Sequence, residues 1–179
     1  MFENDVAGVL FNEEQISEKV KELGENITRD FEGEEIIAVG ILRGSVVFLA
    51  DLIRNIALHT ELEFMSVSSY GDSTKSSGVV KINKDLDIDI CGKNVIIIED
   101  IIDSGVTLKY LKELLLKRNP KSLKICTLLN KPERRKSDVI PDYVGYDIPD
   151  EFVIGYGLDY ANKYRNMPYI GILKREIYE

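Results

Sequence analysis

The stretch VIIIEDIIDSGVTL, Val95 to Leu108, carries four apolar residues into two acids, Glu99 and Asp100, then two isoleucines, then Asp103-Ser104-Gly105-Val106-Thr107. A short unbroken run of branched apolar residues predicts a strand covered on both faces. The small polar residues beyond it predict a loop opening a helix, because VTLKYLKELLLKRN puts leucines along one side. A purely structural connection needs neither paired acids nor hydroxyls, so this junction is a candidate ligand site.

The same order recurs along the chain. IIAVGIL (Ile36 to Leu42) is a second buried strand, followed by the turn Arg43-Gly44-Ser45 and the apolar helix VVFLADLIRNI; ELEFMSVSSY and SLKICTLL are further strands. Strands alternating with helices imply a parallel α/β sheet. NEEQISEKVKELGENI predicts an amphipathic helix, with Asn12 as N-cap, Gln15 reciprocating it, and Ile16, Val20, Leu23 and Ile27 at helical spacing. DYVGYDI, FVIGYGLDY and PYIGIL are shorter strand-like pieces broken by Gly and Pro. Between two strand-like runs, GDSTKSSG (Gly71 to Gly78) fits either a hairpin tip or a lid.

The 179 residues favour one domain over 1–179. With 23 Lys and Arg against 31 Asp and Glu, the net charge of -8 makes nucleic acid and anionic membranes poor partners. No apolar run approaches the ~20 residues that span a bilayer, and MFENDVAGVL lacks the basic start of a signal peptide, so a cytoplasmic location is expected. Cys91, Cys126 and the single histidine, His59, have no metal-site spacing; the cysteines read as packing residues and His59 as a solvated helix end.

In parallel α/β sheets ligands sit beyond the C-terminal ends of the strands. Ser104, Gly105 and Thr107 offer N–H groups and hydroxyls at a helix start, which suits a phosphate. Neither G-x-x-x-x-G-K-[ST] nor a strand-following G-x-G-x-x-G is present, which excludes the commonest nucleotide-binding loops. Glu99 and Asp100 would repel a phosphate, so they must face something attached to it, such as sugar hydroxyls or a divalent cation. A phosphorylated ribose meets both demands and leaves Asp103 near the sugar's reactive end. The alternative is that Asp103 or Ser104 merely caps the helix.

VIIIEDIIDSGVTL closely resembles the phosphoribosyl-pyrophosphate signature of type I phosphoribosyltransferases, and the segments from Ile36 onward resemble the hypoxanthine-guanine members. The resemblance implies a mostly parallel twisted sheet flanked by helices, with a small hood built from terminal segments and a mobile loop. It implies transfer of a 5-phosphoribosyl group to N9 of a 6-oxopurine, magnesium as cofactor, and a homodimer or homotetramer. In the donor site, Arg43-Gly44-Ser45 matches the pyrophosphate loop, whose peptide after the basic residue is often cis. Ser69 and Tyr70 match the pair that closes the lid, which favours the lid over the hairpin tip. Asp103 to Thr107, including Val106 through its backbone, match the phosphate loop. Lys131 matches the lysine that reads the 6-oxo group, Phe152 the aromatic that stacks on the base, and Val153 the residue whose backbone reads the purine edge. Asp159 matches the metal-binding aspartate, with Glu99 and Asp100 contributing to a second ion, and Arg165 the arginine directed at pyrophosphate. Asp103 is the candidate catalytic residue, as base at N7 or as stabiliser of positive charge on the ribose. Arg134, Arg135 and Lys136 read as a solvated basic turn. The alternative function is a regulator of the same fold that senses the donor without catalysis; no helix-turn-helix accompanies it here.

Overall fold

Short unbroken apolar runs, buried along β2 (Ile36–Leu42) and through the first half of β5 (Asn94–Ile102), build the frame. The computed structural model describes residues 4–69 and 80–179. Its elements run β1 (Val6–Phe11), α1 (Glu13–Asp30), β2 (Ile36–Leu42), α2 (Val46–Ile53), β3 (Thr60–Ser69), β4 (Val80–Lys84), β5 (Asn94–Ile102) and α3 (Val106–Leu116). Then follow β6 (Ser122–Asn130), a 3-10 turn (Pro132–Arg134), β7 (Tyr143–Asp147), β8 (Val153–Ile154), β9 (Ile170–Leu173) and α4 (Arg175–Tyr178).

Six strands form the main sheet in the order β4-β3-β2-β5-β6-β7, parallel except for β4, which pairs antiparallel with β3. On one side Ile36, Ala38, Ile96 and Ile98 pack with Ile16, Val20, Leu23 and Ile27 of α1 and with Phe48, Leu49 and Leu52 of α2. On the other, Ile37, Val39, Ile41, Val95 and Ile97 pack with Leu108, Leu111 and Leu115 of α3. Both faces are therefore dry, which is why β2 and β5 read as continuous apolar runs rather than alternating ones. Helix α1 begins with the expected reciprocal cap: Gln15 N donates to Asn12 Oδ1 at 2.9 Å and Asn12 N donates to Gln15 Oε1 at 3.0 Å.

Two corrections and one met expectation follow. β5 runs through the acids to Ile102, because Glu99, Ile101 and Ile102 still pair with Thr127, Leu129 and Asn130 of β6, so the acid pair lies inside the strand. The N-terminal segment forms β1, which joins β9 and β8 in a separate antiparallel sheet, the hood that the resemblance implied. His59 is exposed and sits just before β3 rather than at a helix end, and Cys91 is exposed while Cys126 is buried.

Candidate active site

The C-terminal ends of β2, β5 and β6 and the segment from Asp150 to Arg165 converge over one edge of the main sheet. Each strand end delivers a loop there, which is how residues far apart in sequence become neighbours.

After β5 the chain bends through Asp103 and Ser104 into α3, whose N-cap is Gly105 at φ 72 with no side-chain cap bond. The capping alternative holds in part: Asp103 makes no cap bond, but Ser104 Oγ accepts from Val106 N at a long 3.4 Å. The start of α3 borders a cavity of about 160 Å³ lined by Glu99, Ser104, Gly105 and Thr107, a setting that favours an anion. Gly105 is required twice over, by its left-handed backbone and because a Cβ there would lie 2.5 Å from Ser137 Oγ.

A second cavity of about 230 Å³ is bounded by Asp100, Lys131, Phe152, Val153 and Asp159. Asp103 borders both cavities. Lys131 follows β6, held by donation of its N–H to Ile102 O at 2.9 Å. Its side chain is only 6% exposed, and its ammonium lies 3.4 Å from Asp103 Oδ1 and 3.8 Å from Asp150 Oδ1. A buried ammonium needs such partners, and two carboxylates supply them. The ring of Phe152 stacks on Tyr178 of α4, with centroids 4.8 Å apart, and meets Tyr160 edge-on. Val153 is buried in β8.

The acid pair divides between the cavities, Glu99 toward the phosphate loop and Asp100 toward the second cavity. Burial pushes the Asp100 carboxyl up to about 6. Burial, reinforced by the charge of Asp100, holds Glu99 well above the usual carboxylate range. Gly44 lies hard against Asp100, whose Oδ2 occupies the place a Cβ would take. The cis peptide of this loop is Leu42–Arg43, one bond earlier than the Arg43–Gly44 bond the resemblance implied.

From Gly155 to Met167 the backbone doubles back on itself, with Tyr156, Ala161, Asn162 and Tyr164 all at positive φ. Arg165 closes this hook, donating to Gly157 O at 2.6 Å and pairing with Asp159 Oδ1 at 2.5 Å. Asn162 N donates to Asp159 Oδ2 at 2.8 Å, and Arg43 reaches across to Asn162 Oδ1 at 3.4 Å. Asp159 is 28% exposed, and each of its oxygens keeps a lone pair beyond the one already engaged. No group of three acidic, His or Cys ligands forms among the described residues. That donor set does not build a protein cage, but it fits magnesium, which takes one or two carboxylates and completes its shell with water and substrate phosphates.

Ser69 is the last residue of β3. Tyr70 and the expected lid Gly71 to Gly78 lie outside the described residues. The remaining expected residues converge here. Asp150, Asn162 and Tyr178 join them although no local pattern marked them. Arg135 also departs from the expected solvated turn, which holds for exposed Arg134 and Lys136: it is half-buried and bonded behind the phosphate loop.

Residues 8–161 match the family described as phosphoribosyl transferase domain. The chain is 55% identical over 179 residues to a hypoxanthine-guanine phosphoribosyltransferase of Bacillus subtilis, covering 100% of this chain and 99% of that one. It is 54% identical over 178 residues to the enzyme of the same name from Streptococcus agalactiae, covering 99% of each chain. A crystal structure of a hypoxanthine phosphoribosyltransferase from Staphylococcus aureus superposes with a TM-score of 0.97 at 53% identity, covering 99% of this chain and 97% of that one.

Proposed function

The chain belongs to the phosphoribosyltransferase family and is a purine-salvage transferase that uses phosphoribosyl pyrophosphate, and we infer that its acceptor is a 6-oxopurine, hypoxanthine and also guanine. The observation that carries this reading is Asp103 at the junction of two cavities, one backed by the N-terminal start of α3, the other holding a buried ammonium and an aromatic ring.

The donor's 5-phosphate sits on Ser104, Gly105, Val106 and Thr107. Its ribose hydroxyls face Glu99 and Asp100, and its pyrophosphate faces Arg43, Gly44 and Arg165, with Ser69 and Tyr70 closing over it. In the second cavity the purine lies against Phe152, its edge on the backbone of Val153. Lys131 donates to the 6-oxo group, an acceptor that a 6-aminopurine replaces with donors. N9 forms the new bond to C1 of the ribose as the bond from C1 to pyrophosphate breaks, and the electron pair of that bond leaves with pyrophosphate. Asp103 takes the proton from N7, and its charge also stabilises the positive ribose of the transition state. Asp159, with Glu99 and Asp100 beside the ribose, would hold magnesium, which would neutralise charge on the donor.

No helix among the described residues is long and apolar enough to cross a membrane. We place the enzyme in the cytoplasm as a homodimer or homotetramer, binding neither nucleic acid nor membrane; light scattering measures the assembly. The test of function is pyrophosphate release with hypoxanthine, guanine, xanthine, adenine and orotate offered separately, with and without magnesium. Magnesium-dependent turnover confined to 6-oxopurines is expected. Donor binding without turnover on any base would replace this reading with a donor-sensing regulator.

A further inference from the structure

The charged run from Lys131 to Lys136 hides a residue with a different role from its neighbours. Arg134 is exposed and pairs with Asp150 at 3.1 Å. Arg135 turns inward instead. Its Nε donates to the Asp103 carbonyl at 3.2 Å, its Nη1 to the Val139 carbonyl at 2.6 Å, and its Nη2 to Asn130 Oδ1. Asn130 is itself buried and anchored, because its Nδ2 donates to Asp147 Oδ1 on β7 at 2.7 Å. One guanidinium thus ties the phosphate loop to the ends of β6 and β7.

The tie constrains the loop in a definite way. The carbonyl of Asp103 accepts from Arg135, and the carbonyl of Ser104 accepts from Lys136 N at 2.9 Å and from Ser137 Oγ at 3.3 Å. In a planar trans peptide the N–H points opposite to the C=O. Holding these two carbonyls from behind therefore turns the N–H groups of Ser104 and Gly105 away from the Arg135 segment. Arg135 also packs directly on the turn: a Cβ on Gly105 would lie 3.0 Å from its Cδ and 3.3 Å from its Nε. A lysine could not replace it, since one ammonium cannot reach three acceptors that a planar fork meets together.

We propose that Arg135 is a positioning residue of the 5-phosphate subsite: it fixes the peptides of Asp103 and Ser104 so that the loop presents its N–H groups to phosphate and Asp103 to the reacting atoms. The proposal rests on the reading of that loop as the donor's phosphate site.

The test uses the full chain and two probes that differ only in the phosphate, inosine monophosphate and inosine, with calorimetric affinities measured for the wild type, Arg135→Ala and Arg135→Lys. The ratio of the two affinities isolates the phosphate contribution. In Arg135→Ala the ratio is expected to fall by about 10- to 100-fold, the scale of one or two lost charge-assisted bonds. Inosine affinity should stay within about threefold, since loss of charge-assisted bonds at the phosphate is not felt by a ligand lacking it. The Michaelis constant for the donor should rise while that for the base does not. Arg135→Lys is expected to behave like the alanine variant, and carries the test alone if the alanine variant does not fold. An unchanged ratio in either variant overturns the proposal, because charge without the fork would then suffice or neither would matter. Equal binding of both probes by the wild type overturns the phosphate reading of the loop itself, and the proposal with it.

Discussion

At the scale of single residues the site is an arrangement of charges that need one another. Asp103 and Asp150 share the ammonium of Lys131, and only the first of them borders both cavities. Replacing Asp103 by Asn keeps its size and removes its basicity. Turnover is expected to fall by roughly 10²- to 10⁴-fold, the range for a lost acid-base group, with donor affinity largely kept. Single-turnover kinetics beside equilibrium donor binding separates the two, and unchanged turnover would take Asp103 out of the mechanism. Lys131→Ala acts on selection instead. On the proposed role it removes the donor to the 6-oxo group, and it leaves two carboxylates without their shared cation, so discrimination between hypoxanthine and adenine should drop by about 10-fold or more, the scale set by a buried polar group that loses its partner. Competition of the two bases in one reaction measures this, and undiminished exclusion of adenine would mean that another group reads position 6.

At the scale of elements, local signals decided what could be foreseen. The bounds of β2 and the reciprocal cap of α1 were legible, because both depend on residues within a few positions of each other. That cap gives a prediction confined to stability: Asn12→Ala should cost about 1 kcal/mol, lowering the melting temperature by roughly 2–4 °C for a chain of this size, with the turnover number unchanged. A thermal melt beside a rate measurement checks it, and altered turnover would show that α1 reaches the site. β1 was not legible, since VAGVLF is largely exposed and lacks alternation, and it becomes a strand only by pairing with β9 at the other end of the chain. The acids of β5 were read as the strand's end because polarity interrupts the apolar run there, whereas β6 goes on pairing beside them. Arg135 was misread for a related reason: a charged run has a solvated face by default, and the three acceptors that draw this side chain inward come from Asp103, Asn130 and Val139. From the residues alone only the β5–α3 loop of the site was legible, and the resemblance to a known family added Arg43, Lys131, Phe152, Asp159 and Arg165. The partners of that loop come from chain topology.

At the scale of the whole molecule, an acidic protein with a net charge of -8 must bind a donor carrying phosphate and pyrophosphate. The titration of Asp100 joins that problem to folding. Its carboxyl is raised from its ordinary 3.8 to about 6, and the charges facing it are Arg165, which lowers it, and Asp159, which raises it. Neighbouring Glu99 is raised as well. A carboxyl raised by folding holds its proton longer in the folded state, so from about pH 4 to about pH 6 the folded chain binds more protons than the unfolded one. The contribution of Asp100 to stability therefore falls as pH rises through that window and is level above it, and Glu99 acts in the same direction. The exposed carboxylates of Glu34, Asp85 and Asp138, lowered by Lys121, Arg118 and Lys109, shift stability the opposite way, but below their ordinary values near 4, in a separate window. Donor with magnesium favours the ionised acids, so its binding should release protons and strengthen as pH rises through about 6. The increase in melting temperature caused by saturating donor and magnesium is accordingly expected to be larger at about pH 7.5 than at about pH 5, and Asp100→Asn should reduce that difference, leaving the part that Glu99 contributes. Equal increases at both pH values, or a pH dependence that survives undiminished in Asp100→Asn, would remove this half-buried acid from the donor site.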